Sequence, residues 1–220
     1  MITVIYFWRI KRIYLPLAIL NMATNKFLLK VMLGKSFIKM LGTGKGESFT
    51  PKDADSFRWG ILITTKESNI KKFDSSFVIK LWQKIARSQY RAVLRPISSH
   101  GVWSGKTPFE SEKFEWNGKV AAITRARIVW SKNLQFWRAV PPVTESLHSS
   151  PGLLNAIGIG EAPIGLQGTF SIWESGAALR DFAYKGNAHI EAIKATETNK
   201  WYSEELFARF AVIAEQGVLR

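Results

Sequence analysis

Three histidines are the only imidazoles in this chain of 220 residues, and it has no cysteine. The absence of cysteine removes disulfides, thiolate haem ligation, iron–sulfur clusters and a cysteine nucleophile, and it fits a reducing compartment. His189 follows Gly186-Asn187 among Ala188, Ile190 and Ala192, with Glu191 two positions on, in a segment with helical spacing. Where cysteine is missing, imidazole is the usual proximal ligand of haem iron. A helical histidine also serves as a surface or satisfied core residue, and spacing alone does not separate the two readings. His100 sits in the loop-like Ser98-Ser99-His100-Gly101 and reads as a turn residue, and His148, beside Ser149-Ser150-Pro151, is given no role.

Arg125 and Arg127 alternate with apolar neighbours in AITRARI, which puts both on one face of a strand. Two guanidinium forks on one face suit a pair of carboxylates such as haem propionates, or else a solvent-facing strand edge. Arg209, between aromatic neighbours Phe207 and Phe210, is a further candidate for the same task. Glu47 and Glu161 each close a glycine-rich run and are candidates for proton delivery. No Ser-His-Asp order, HExxH, P-loop or Rossmann fingerprint is present, so hydrolytic and nucleotide-dependent chemistry has no support, and electrons for any redox step come from a separate donor.

The elements that must position these residues come as a repeat. The first half reads as a strand from Met1, a helix over Leu15 to Leu33, strands at Phe37 to Leu41 and Phe57 to Thr64, a helix over Lys66 to Ala86 broken near Ser75-Ser76, and a strand at Ala92 to Ile97. After a Gly/Ser/Pro-rich stretch the order restarts: a strand at Val120 to Trp130, a helix from Asn133 interrupted by Pro141-Pro142, strands at Leu153 to Ile159 and Gly168 to Trp173, two short helices, the second from Ala188 to Lys194, and a closing strand around Leu206 to Ile213. KMLGTGKGE (39–47) lies against NAIGIGEAP (155–163) when the halves are superposed. Each half is a split βαβ unit, so the expectation is an α+β fold of two tandem ferredoxin-like (βαββαβ) units, 1–110 and 111–220, forming a pseudo-dimeric α+β barrel. Nine Trp and fourteen Phe read as a well-filled core, or else as the lining of an apolar cavity between the sheets.

Charge is uneven. Residues 1–110 carry 19 Lys/Arg against 6 Asp/Glu, and residues 111–220 carry 12 against 11. A basic half reads either as a solvated face or as a surface for an anionic partner, and with no helix-turn-helix, zinc finger or RNA-binding motif that partner is expected to be an acidic membrane surface or an acidic redox protein, not nucleic acid. Met1 to Phe7 is read as a strand and not a leader, because its basic residues follow the apolar run. Leu15 to Leu33 contains Asn21, Asn25, Lys26 and Lys30, which argues against spanning and for an amphipathic helix on a sheet or a bilayer.

The blocks GIGEAPIGLQGTFSIW (158–173), FAYKGNAHIEAI (182–193) and WYSEELFARFAV (201–212) resemble the carboxy-terminal half of the spheroidene monooxygenases. LGTGKGESFTP (41–51), GVWSGKTPF (101–109), AAITRARI (121–128) and FWRAVPPV (136–143) resemble the same family in the same order. The resemblance implies a haem-containing enzyme that oxidises acyclic carotenoids with O₂ and reduced ferredoxin. It also implies a haem b iron ligand at His189 and a cytoplasmic chain with peripheral contact to an anionic membrane. Other α+β barrel oxygenases or haem enzymes, and a pigment- or lipid-binding module, remain alternatives on the residues alone.

Overall fold

The computed structural model describes residues 1–112, 114–162, 166–185 and 199–219. The strands are β1 (Ile2–Ile10), β2 (Phe37–Gly44), β3 (Ala54–Thr65), β4 (Ala86–Gly101), β5 (Val120–Ile128), β6 (Leu153–Gly160), β7 (Leu166–Trp173) and β8 (Tyr202–Gly217). The helices are α1 (Leu15–Leu33), α2 (Ile70–Asp74), α3 (Phe77–Ile85), α4 (Asn133–His148) and α5 (Gly176–Lys185). Ser76 caps α3 by accepting from the Ile79 N–H at 3.3 Å, and this is the break expected near Ser75-Ser76. The second short helix expected at Ala188 to Lys194 lies outside the described residues.

All eight strands form one closed antiparallel barrel in the order β1-β3-β2-β6-β7-β5-β8-β4. Within it, β4-β1-β3-β2 and β8-β5-β7-β6 repeat the ferredoxin-like order, so the fold is the pseudo-dimeric α+β barrel expected from the repeat. The halves meet at two unequal seams. β4 and β8 pair from Tyr90↔Gly217 to Gly101↔Leu206. Between β2 and β6 the described pairs are Gly42↔Gly160 and Thr43↔Ile159.

Alternation along the strands sends one set of side chains inward. Ile5, Phe7, Leu41, Leu62, Tyr90, Leu94, Ile123, Ile157, Phe170, Leu206 and Phe210 fill the barrel with Trp103 and Phe109. Phe170 lies 5.6 Å from Phe7 and 6.4 Å from Tyr90, ring centre to ring centre, and Phe109 meets Phe210 edge-on at 4.9 Å. The aromatic residues thus pack against one another across the interior, as the well-filled-core reading expects.

Two helices depart from their sequence pattern. α4 runs unbroken through Pro141 and Pro142. Interior proline costs about 3 kcal/mol, yet Phe136 and Val140 before the pair and Leu147 after it are buried, and packing on both sides holds the helix together. In α1 the buried face is Ala18, Asn21, Asn25, Leu29 and Leu33, while Leu20, Phe27 and Val31 are exposed. No helix among the described residues is long and apolar enough to cross a membrane.

Candidate functional site

The two glycine-rich runs meet at the short seam. Gly42 stands opposite Gly160, and a Cβ on Gly158 would come 2.7 Å from the Gly46 carbonyl oxygen, so side-chain-free backbone is what allows β6 to lie against the turn after β2. Over this seam lies a groove of about 460 Å³. Ile19 and Met22 of α1, Phe49, Trp59 and the stretch from Gly158 to Glu161 are among the residues that line it.

Glu161 links the groove to the barrel interior. Its carboxylate accepts from the Trp103 indole N–H at 2.6 Å, from the Lys39 ammonium, and from Arg125 Nη2 at 3.3 Å. Lys39 also donates to Ser104 Oγ at 2.6 Å and lies 5.5 Å from the Trp103 ring centre. Arg125 Nη1 pairs with Glu204, which accepts the Ser104 N–H at 2.9 Å and the Gly105 N–H at 2.8 Å. Two cations and two carboxylates from β2, β5, β8 and the end of β6 therefore close one mouth of the barrel, with the 102–106 loop pinned over them. Sequence inspection picked out Arg125 and Glu161 of these four. Lys39 and Glu204 were missed, although a lone lysine at an inward position of the apolar strand FIKML is a readable signal.

Burial holds the Lys39 ammonium below its ordinary range, an effect that Glu161 partly offsets. For Glu204 burial acts to raise the value, but the Ser104 and Gly105 N–H groups together with Arg125 outweigh it and leave the carboxyl below its ordinary range. Glu161, hydrogen-bonded to Lys39, is at the same time one of the residues that line the groove.

The other residues singled out in the sequence fall in different places. Arg125 and Arg127 share the inward face as expected, and both approach Glu204, Arg127 Nε at 4.0 Å. Arg209 alternates with inward-facing Ala208 and Phe210 and donates to Ser98 Oγ at 2.8 Å, so it is not brought to the other two. Glu47 is buried and turned toward α4, its carboxylate 2.6 Å from His148 Nε2. The repeat places Glu47 and Glu161 at matching positions, but their partners differ. His148, given no role from sequence, acquires one here, and His100 is exposed at the end of β4. His189 lies outside the described residues, and among the described residues no group of three or more His, Asp or Glu could hold a metal ion.

What can be set against a haem group here is the propionate grip. Arg125 has both terminal nitrogens committed to Glu161 and Glu204, so a propionate could join it only by displacing one of them. Arg127, with 45% of its side chain exposed, has room for a carboxylate and fits that task.

No family model matches the chain. It is 35% identical over 187 residues to the spheroidene monooxygenase of Rhodobacter capsulatus, covering 82% of this chain and 77% of that protein. To that of Rubrivivax gelatinosus it is 33% identical, covering 84% and 72%. To that of Cereibacter sphaeroides it is 35% identical over 90% of this chain, and it spans 62% of that protein's length. Among solved structures, an aldoxime dehydratase in complex with butyraldoxime superposes with a TM-score of 0.63 at 8% identity, covering 99% of this chain and 82% of that one. A second aldoxime dehydratase gives 0.61, also at 8% identity, over 96% and 80%. These likenesses show the fold alone. The identities to the curated relatives, spread over most of both partners, show that the chain belongs to the spheroidene monooxygenase family.

Proposed function

We propose that the chain is a carotenoid monooxygenase that introduces a hydroxyl and then a keto oxygen near the end of an acyclic carotenoid. The observation that carries this is the 35% identity to the Rhodobacter capsulatus spheroidene monooxygenase over 77% of its length. In each hydroxylation one atom of O₂ replaces an allylic C–H bond with C–OH. The other atom leaves as water after taking up two electrons and two protons. A second round on the same carbon gives a geminal diol, which loses water to become the ketone.

In this reading His189 and Arg127 would hold haem b, which would supply the activation of oxygen, and reduced ferredoxin would supply the electrons. The chain's own residues do the rest. Ile19, Met22, Phe49 and Trp59 give the groove apolar walls that exclude water from a hydrocarbon end. Lys39 and Glu161 hold and move the protons. Because the substrate dissolves in lipid, the chain is placed at the cytoplasmic side of an anionic membrane.

The test is turnover. Purified chain, acyclic carotenoid, ferredoxin, its reductase and isotopically labelled O₂ should give labelled hydroxy and then keto product, and absence of both sinks the reading. The absorption spectrum of wild type beside His189→Ala tests the haem separately. A wild-type protein without a Soret band removes haem, and an unchanged band in the variant removes His189 as ligand.

A further inference from the structure

The outward face of α1 is built for an apolar medium. Ile13, just ahead of the helix, and Leu20, Phe27 and Val31 within it fall in one stripe on a helical period, and they are 78%, 58%, 70% and 73% exposed. The side turned to the protein carries Asn21 and Asn25, whose amide nitrogens are buried without a hydrogen-bond partner. Ala18, Leu29 and Leu33 are covered beside them, yet two buried amides together with the bare Phe27 and Val31 depart from the usual order for a helix in water, where amides are solvated and large apolar groups are covered.

Cations surround the stripe. Lys11 and Arg12 precede α1, Lys35 follows it, and Lys26 and Lys30 stand on one flank, all exposed. That flank is also the groove side, since Ile19, Met22, Lys26 and Lys30 follow one another at three or four residues. Ile19 and Met22 line the seam groove, and Lys26 lies near enough to Lys39 to act on its protonation. An apolar stripe edged by lysine matches the chemistry of an anionic bilayer surface.

We propose that α1 lies in the interface of an anionic bilayer, stripe inward, and that the seam groove beside it takes the end of a long unsaturated hydrocarbon directly from the lipid. The identity of that hydrocarbon rests on the carotenoid reading, whereas the seating on lipid does not. The exposed Ile19 of α1 and Glu161 both line the groove, so a hydrocarbon leaving the bilayer beside α1 would enter a space that also touches the charge cluster.

The experiment compares wild type, Phe27→Glu/Val31→Glu and Met22→Trp. Sedimentation with phosphatidylglycerol–phosphatidylcholine vesicles and with pure phosphatidylcholine vesicles reads the seating, and circular dichroism checks folding. Wild type should bind the anionic vesicles about tenfold better than the neutral ones, and the double substitution should lose that binding. The double substitution should also lower the ratio of vesicle to detergent-micelle turnover about tenfold. Met22→Trp, which fills the groove, should keep vesicle binding and lose turnover in both media. Equal sedimentation of wild type and Phe27→Glu/Val31→Glu overturns the lipid seat. So does a wild-type dimer in solution that the double substitution dissolves, since the stripe would then join two copies. Normal turnover by Met22→Trp overturns the role of the groove. Vesicle binding by wild type with no carotenoid oxidised by any form sinks the oxygenation reading and leaves the seat intact.

Discussion

Lys39 and Glu161 face each other across the seam where the two repeats touch, the ammonium coming from β2 and the carboxylate from the residue just beyond β6. The pair ties the halves together where, among the described residues, backbone pairing between them is shortest. It is also the point where the groove reaches the interior.

If this pair moves protons, Glu161→Gln should lower turnover by about 10²–10⁴-fold and change the shape of the pH–rate profile. A purely structural pair would move stability and leave the profile alone. A double-mutant cycle with Lys39→Met in urea should give a coupling of about 0.5–3 kcal/mol, because the two groups are in contact.

Lys39 sets a sign for alkaline stability. Its folded value lies below the ordinary 10.5, with burial as the main cause. Between that lowered value and 10.5 the unfolded chain binds the proton more readily, so this group's contribution to stability rises with pH through that window. Urea unfolding of Lys39→Met should show a smaller rise over the same range than wild type does.

Glu204 acts at the other end of the scale. Its folded value lies below the ordinary 4.5, so the stability it contributes is complete above 4.5 and is lost as pH falls through the folded value. Glu204→Gln should flatten that acid limb. Glu204→Ala should cost about 3–5 kcal/mol, because it leaves the buried Arg125 short of a partner. As Glu204 also holds the Ser104 and Gly105 N–H groups, both variants should be cut faster by protease in the 102–106 loop.

Gly158→Ala tests the seam itself. Its Cβ would press on the Gly46 carbonyl, which is backbone and cannot swing aside. Thermal unfolding should report a loss of about 1–3 kcal/mol, and turnover should fall with it as the groove narrows.

Much of this architecture could be read from the residues. The matching glycine runs at 39–47 and 155–163 revealed the repeat, and the repeat gave the strand order of each half. The shared face of Arg125 and Arg127 followed from alternation alone. What alternation cannot supply is which strands become neighbours, and the Lys39–Glu161–Arg125–Glu204 cluster depends on four of them closing into a ring. The same limit explains Glu47, whose repeat position matches that of Glu161 but whose partner comes from α4. In α1 the pattern is mixed: Ala18, Leu29 and Leu33 are covered as expected, but Asn21 and Asn25 lie beside them while Leu20, Phe27 and Val31 face out.

Among the described residues the barrel is laced along one side and barely buttoned on the other: β4 and β8 are bonded along most of their length, whereas β2 and β6 meet at a pair of glycines and their neighbours. Local opening of the ring should therefore begin on the β2–β6 side, and faster amide exchange at Thr43 and Ile159 than along β4 and β8 would show it.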